Sequence, residues 1–340
     1  MPLIYKIDTN KSQKNKKGFF KLKSLVSKDL VKVNNLIEKR LNNNVPFIGL
    51  VSKHLFEAGG KRIRPMLCLA SAKLCDCDDK KIIELAACVE FIHTATLFHD
   101  DVIDNSKKRR GISTAHEIWG NKSSVLVGDF LLGKSFELMV DIEQIEILKL
   151  LSQTASILIK GEISQLLSNN DISITEDDYL EIIKAKTSKL FATSCEVGAL
   201  IANKPKIYSN ALNSFGMNLG MTFQIIDDLL DYKSIENYTG KKMGNDFAEG
   251  KVTLPIILAY HRGNNVERKF WIKTIKKSEQ KKGDFEKACD YLEKRNILND
   301  IFERAKHYGN VAKDALEIFP NKKEKKILVD LIDFILNRSF

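Results

Sequence analysis

Apolar residues recur at helical spacing along most of this 340-residue chain. Between Phe19 and Leu41 they fall at Leu22, Leu25, Val26, Leu30, Val33, Leu36, Ile37 and Leu41, with lysines between, a stripe that predicts a first core helix. The same period predicts a short helix over 48–57 that stops at Gly59-Gly60, and another beginning near Pro65 after the basic turn GKRIRP. Longer helices are expected over 79–104, 114–120, 123–140 and 143–168. Thr175 and Asp178 have the spacing of a capping box, opening a helix that Asn203-Lys204-Pro205 ends near 202. A helix over 207–233, a glycine-rich loop over 234–252 and helices from 253 onward complete the chain. No strand alternation, internal repeat or membrane-spanning run is evident, and only six prolines interrupt the pattern. The expectation is an all-α protein: residues 1–18 a basic flexible tail, and residues 19–340 one large helical bundle domain around a central apolar cavity.

Two of these helices break their own pattern in the same way. Asp100, Asp101 and Asp104 stand at i, i+1 and i+4 in FHDDVID, and Asp227, Asp228 and Asp231 repeat that spacing in QIIDDLLDY. Aspartate in a helix interior is disfavoured by roughly 0.7 kcal/mol against alanine, and three in one turn repel unless cations sit among them. Residues i and i+4 share a helix face, so Asp100 pairs with Asp104 and Asp227 with Asp231, while Asp101 and Asp228 point about 100° away.

Composition narrows the choices. The formal net charge is +10, but residues 1–40 alone carry +8, so the basic excess belongs to the N-terminal arm rather than to the body. No nucleic-acid-binding signature accompanies that arm, and no nucleic-acid partner is expected; peripheral contact with an anionic membrane surface is open to it. Six cysteines include no CxxC pair, no secretory segment precedes them, and no histidine stands near Cys75 and Cys77, so neither zinc nor a disulfide framework is expected. A reducing cytoplasmic setting follows as an expectation.

Three basic groups accompany the acids: Lys61, Arg62 and Arg64; Lys107, Lys108, Arg109 and Arg110; and Lys241, Lys242 and Lys251. A merely solvated charge cluster would have polar flanks, whereas both triads sit among Phe, Ile and Leu. Carboxylates entering apolar helices need compensation by metal or ligand, and an oxygen-only donor set suits magnesium, which bridges carboxylates to a substrate's phosphates. Arginine and lysine then hold the phosphate oxygens that remain. The pattern implies an amphiphilic ligand, a diphosphate with a hydrocarbon tail.

These motifs resemble those of the trans-polyprenyl diphosphate synthase family. The likeness runs through GGKRIRP (59–65), EFIHTATLFHDDVID (90–104), RRG (109–111), SVLVGDFLL (124–132), KT (186–187), GMTFQIIDDLLDY (220–232) and TGKKMGNDFAEGKVTLP (239–255), about 200 residues in order. The resemblance implies the isoprenoid synthase fold, a homodimer, and head-to-tail condensation of isopentenyl diphosphate with an allylic diphosphate. It implies that Asp100, Asp104, Asp227 and Asp231 bind Mg2+, three ions with substrate bound. Arg109, Lys186, Thr187, Gln224, Lys241 and Lys251 would hold the allylic diphosphate, and Lys61, Arg64, His93 and Arg110 isopentenyl diphosphate. Asp100, Asp104, Asp227, Lys186 and Lys241 would be the catalytic set. His93, seven residues before Asp100, is nearly co-facial with the clamp.

Ala95 and Thr96 stand one turn before Asp100, where short-chain members of the family carry aromatic side chains. The opening implies a long-chain product in the octaprenyl to decaprenyl range, plausible as a quinone side chain; a geranylgeranyl or farnesyl diphosphate synthase, or a non-catalytic partner subunit, is the alternative. A terpene cyclase has no use for a second diphosphate pocket. Ala95→Tyr is expected to shorten the product to about twenty carbons or fewer, because the ring fills the path of the growing tail. Thin-layer chromatography checks this, and unchanged product length would remove Ala95 as a gate.

Overall fold

The computed structural model describes residues 17–42, 45–57, 59–233 and 243–339, so most of the N-terminal arm, together with Lys241 and Lys242 in the glycine-rich loop, lies outside the described residues. Helices are α1 Lys17–Leu41, α2 Pro46–Glu57, α3 Ile63–Leu74, α4 Ile82–Ile103, α5 Ala115–Trp119, α6 Asn121–Asp141, α7 Ile145–Ser168 and α8 Glu176–Ile183. They continue as α9 Lys189–Ile201, α10 Lys206–Lys233, α11 Asn245–Ala248, α12 Leu254–Arg262, α13 Asn265–Trp271, α14 Asp284–Lys294, α15 Ile297–Ala315 and α16 Lys323–Leu336. The fold is all-α, as the periodicity predicts.

One cluster of buried apolar side chains runs from Leu22 in α1 to Leu336 in α16. The two helices that carry the aspartates lie within it. The α4 helix packs on α6, α3 and α1, and α10 on α9, α15 and α16. Every residue of α4 from Leu85 to Ile92 is buried, which explains why this helix is apolar all round rather than striped. By length and composition α4 could cross a membrane, yet most of it is buried inside the protein, as a core helix is. At the contact of α9 with α3, a Cβ on Gly198 would lie 2.6 Å from the Ala72 nitrogen, so only glycine lets these two backbones approach so closely.

Three local features depart from the sequence reading. First, α1 begins at Lys17, inside the expected tail, because Gly18 is buried against the Asp330 carbonyl of α16. Second, residues 105–113 are not a plain loop: Lys108–Arg109 (β1) and Ile112–Ser113 (β2) form a small antiparallel hairpin pairing Lys108 with Ser113 and Arg109 with Ile112. Its two tip residues, Arg110 and Gly111, have φ of 54° and 85°, the all-positive pattern that matches strand twist in a two-residue hairpin. Third, the helix opened by Thr175 is interrupted. Its capping box is present, with the Thr175 hydroxyl accepting from the Asp178 N–H at 3.1 Å and the Asp178 carboxylate accepting from the Thr175 N–H at 2.9 Å. The chain then makes a π turn over Lys184–Ser188 before α9 begins.

Candidate active site

That π turn joins the two acidic helices. The Lys186 ammonium donates to Asp100 of α4 at 2.8 Å, to Gln165 of α7 at 2.6 Å, and pairs with Glu162 of α7 at 2.5 Å. The next residue, Thr187, faces α10: its hydroxyl donates to Gln224 at 2.9 Å, and the Gln224 amide donates to Asp228 at 2.7 Å. Consecutive residues therefore reach the two triads, Lys186 directly and Thr187 through Gln224. The loop after the second triad also reaches the first, since Lys251 pairs with Asp104 at 2.6 Å and with Glu249 at 2.9 Å. The 3₁₀ turn after α16, Asn337–Ser339, brings Arg338 to 3.2 Å from Asp227, with its guanidinium 5.1 Å from the centre of the Phe223 ring.

The hairpin delivers Arg109 to the first triad, 2.7 Å from Asp101 and 3.5 Å from Asp100. Thus Asp100, Asp104 and Asp227 are each matched to a cation drawn from another part of the chain. Asp231 is engaged differently: its two carboxylate oxygens accept the backbone N–H groups of Asn245 at 3.2 Å and Asp246 at 3.0 Å, tying the end of α10 to the start of α11. The two aspartates expected to point away do so. Asp101 is buried against Arg109, and Asp228, 3% exposed, accepts from the Tyr179 hydroxyl at 2.6 Å.

The electrostatics follow from burial and pairing. Burial opposes ionisation of Asp100, but Lys186 and Arg109 more than offset it and hold the carboxyl below its usual range. Burial pushes Glu162 up to about 7, with Asp100 adding to the effect and Lys186 opposing it. Lys186 and Lys251 both sit above the usual lysine range: burial works against their charge, and their carboxylate partners outweigh it. Asp228 is pushed up to about 7 by burial, reinforced by Asp227 and Asp231 and opposed by the hydrogen bonds from Tyr179 and Gln224.

A second group of cations lies beside this one. A Cβ on Gly60 would meet the Arg110 guanidinium at 3.1 Å, so the GGKRIRP turn and the hairpin tip pack together. Arg64 donates to His93 Nε2 at 3.1 Å and stacks over Phe191 at 4.6 Å. Burial and Arg110 push Arg64 down to about 10 despite Glu90, and its buried Nε has no partner among the described residues. Since Nε2 of His93 accepts from an arginine, the ring is neutral with its proton on Nδ1; burial and Arg64 hold its pKa well below the usual range. Burial and the charges of Arg338 and Arg110 push Lys61 down, against the pull of Asp227. Arg62 stands apart from its neighbours, pairing with buried Glu90 and stacking on Phe56 at 4.9 Å.

Ala95 is buried on α4, and the Thr96 hydroxyl donates back to the His93 carbonyl at 2.8 Å. Glu162, Gln165, Glu90, Tyr179 and Arg338 join the site without having been singled out from sequence. For Glu162 and Gln165 a signal exists: two polar residues one turn apart in the apolar run ILIKGEISQLL. Arg338 has none, because its partner lies 111 positions away.

This geometry agrees with the known proteins that the chain is similar to. The polyprenyl synthetase family model matches residues 45–292. The octaprenyl diphosphate synthase of Haemophilus influenzae is 35% identical over 319 residues, covering 94% of this chain and 97% of that protein. Among solved structures, a decaprenyl diphosphate synthase from Rhodobacter capsulatus is 41% identical with a TM-score of 0.91, covering 95% of this chain and 99% of that one. A polyprenyl synthase from Caulobacter crescentus CB15, solved with calcium and isoprenyl diphosphate, is 42% identical with a TM-score of 0.91, covering 95% and 98%. The chain belongs to the polyprenyl synthetase family and is a trans-prenyltransferase of the long-chain type.

Proposed function

For this member of the polyprenyl synthetase family, we propose that the two cation groups are two diphosphate pockets of opposite character. Around Lys186, Arg109 and Lys251 every cation is already matched to a carboxylate, so a diphosphate gains little from this set until the acids are satisfied otherwise. Around Lys61, Arg64 and Arg110 the buried carboxylate that acts on both arginines, Glu90, is paired with Arg62, and Asp101 and Asp227 are paired with Arg109 and Arg338, leaving an excess of positive charge that suits a diphosphate directly. The first pocket is the allylic site, held by Arg109, Lys186, Thr187, Gln224 and Lys251, with Lys241, which lies outside the described residues, added on the family resemblance alone; the second, with His93, is the isopentenyl diphosphate site. Arg338, within the field of Lys61 and beside Asp227, borders both. This matched and unmatched pairing is the observation that carries the reading.

Magnesium fits the first pocket and not a closed protein cage. Asp100, Asp104 and Asp227 offer hard oxygen donors that remain partly accessible, and no group of three or more His, Cys, Asp or Glu side chains among the described residues could hold a metal by itself. That is the donor set of an ion shared between one or two carboxylates and substrate phosphates. Asp100, Asp104 and Asp227 would hold Mg2+, three ions in the full complex by the family resemblance, which would neutralise the charge that develops on the leaving diphosphate. Lys186, Arg109 and Lys251 supply the same stabilisation from the protein side, their ammonium and guanidinium groups turning from the aspartates to the diphosphate oxygens. Lys61, Arg64, Arg110 and the Nδ1–H of His93 orient isopentenyl diphosphate so that its double bond meets the allylic carbon at high effective concentration. No side chain among the described residues is an evident base for the final proton, and the released diphosphate is the acceptor in this proposal.

The product range we propose is octaprenyl to decaprenyl, with Ala95 and Thr96 lining the start of the tail's path and a quinone side chain as the destined lipid. Residues 19–340 act as one domain, on the strength of the single core. A homodimer is supported by apolar side chains that α6 and α7 leave exposed, among them Leu126, Val140, Ile145, Ile159, Ile163 and Leu167. Six free thiols support a reducing cytoplasm.

Membrane contact through the N-terminal arm is tested by deleting residues 1–17: weaker binding to anionic liposomes is expected, and unchanged binding would remove the idea. For catalysis, purified protein with farnesyl diphosphate and labelled isopentenyl diphosphate is expected to incorporate label only with Mg2+, and Asp100→Asn to lower kcat by about 100-fold or more. Absence of Mg2+-dependent incorporation would overturn the enzymatic reading.

A further inference from the structure

Resting on that allylic pocket, we infer that Tyr179 is a positioning residue and that Asp228, the central carboxylate of the second triad, is its anchor rather than a metal ligand. Asp228 is 3% exposed and both of its oxygens are engaged inside the protein, one by the Tyr179 hydroxyl at 2.6 Å and the other by the Gln224 amide at 2.7 Å. A hydroxyl-to-carboxylate bond of that length is among the stronger ones available to a buried side chain. It pins α8, which carries Tyr179, to α10 one turn before the chain enters the π turn. Asp228 then reaches the turn by a second route, through Gln224 to the Thr187 hydroxyl at 2.9 Å.

The turn is gripped by backbone as well. A Cβ on Gly161 of α7 would lie 2.6 Å from the Lys186 nitrogen, and one on Gly220 of α10 would lie 2.5 Å from the Ser188 Cα. Two bare glycines thus press the Lys184–Ser188 backbone from opposite helices, and the Tyr179–Asp228–Gln224–Thr187 chain sets its remaining freedom. A π turn inserts a residue into a helix and redirects the side chains that follow, and isolated π turns recur at functional sites for that reason. Here the redirected pair is Lys186, aimed at Asp100, and Thr187, aimed at Gln224. With its hydroxyl committed to Asp228, Tyr179 acts on the reaction through the orientation of Lys186 and Thr187.

The inference separates from a metal-ligand role for Asp228 by which ligand each variant weakens. In enzyme shown to be active, Tyr179→Phe and the isosteric Asp228→Asn are expected to raise KM for the allylic diphosphate by about fivefold or more, while KM for isopentenyl diphosphate and the Mg2+ half-saturation stay within about twofold of wild type. The double variant is expected to be no worse than Asp228→Asn, because both act through one chain of hydrogen bonds. A Tyr179→Phe enzyme with an unchanged allylic KM overturns the inference, as does an Asp228→Asn enzyme whose Mg2+ half-saturation rises tenfold. Should Tyr179→Phe fail to fold, the Asp228→Asn measurement decides alone. Wild-type protein without Mg2+-dependent incorporation would instead be a failure of the enzymatic reading.

Discussion

Carboxylates on apolar helices are tolerable only where a cation or a set of hydrogen-bond donors meets them, and the Lys186 ammonium meets that constraint at the centre of this molecule. It contacts Asp100 of α4 and Glu162 and Gln165 of α7, while its neighbour Thr187 reaches α10 through Gln224. One turn of chain therefore holds together the helices of both triads. Truncating Lys186 would leave the largely buried Glu162 without its cation and Asp100 with Arg109 alone, which is costlier than losing a pair as a whole. The remaining cations follow the same logic from farther away: Arg109 from the hairpin, Lys251 from the loop after α10, Arg338 from the end of the described chain.

On the proposed reading, this balance lets one site take two diphosphates. Pairing within the protein offsets charge in the acid-rich half, and a diphosphate would gain its lysines and arginine only once metal ions satisfy those acids. The half near Arg64 has no such requirement. Arg62 occupies Glu90, so the charges of Lys61, Arg64 and Arg110 are left over, and the lowered pKa values of these three groups record the strain of holding them together in a buried place.

Much of the fold was legible because its helices are long and periodic. The stripe of α1, the stop at Gly59-Gly60 and the Thr175–Asp178 capping box all have local causes, and the structure contains each of them. The hairpin at 108–113 was not legible, since two-residue strands carry no alternation to read, nor was the π turn, which packs against glycines of other helices. The candidate site divides the same way. Asp100, Asp104, Asp227, Arg109, Lys186, Thr187, Gln224 and Lys251 are brought together as their motifs suggested, whereas Arg338 and Tyr179 act across 111 and 49 positions that no local pattern connects. Asp231 bears on the loop through backbone amides, a role that a count of acids at helical spacing does not reveal.

In the proposed mechanism the acid-rich pocket exchanges its internal cations for metal when it takes up a diphosphate. Isothermal titration with a non-reactive farnesyl thiolodiphosphate, with and without Mg2+, measures that exchange. Mg2+ is expected to tighten the analogue by about tenfold or more and the analogue to tighten Mg2+ by the same factor, as linkage requires. Equal affinity in the presence and absence of Mg2+ would contradict it.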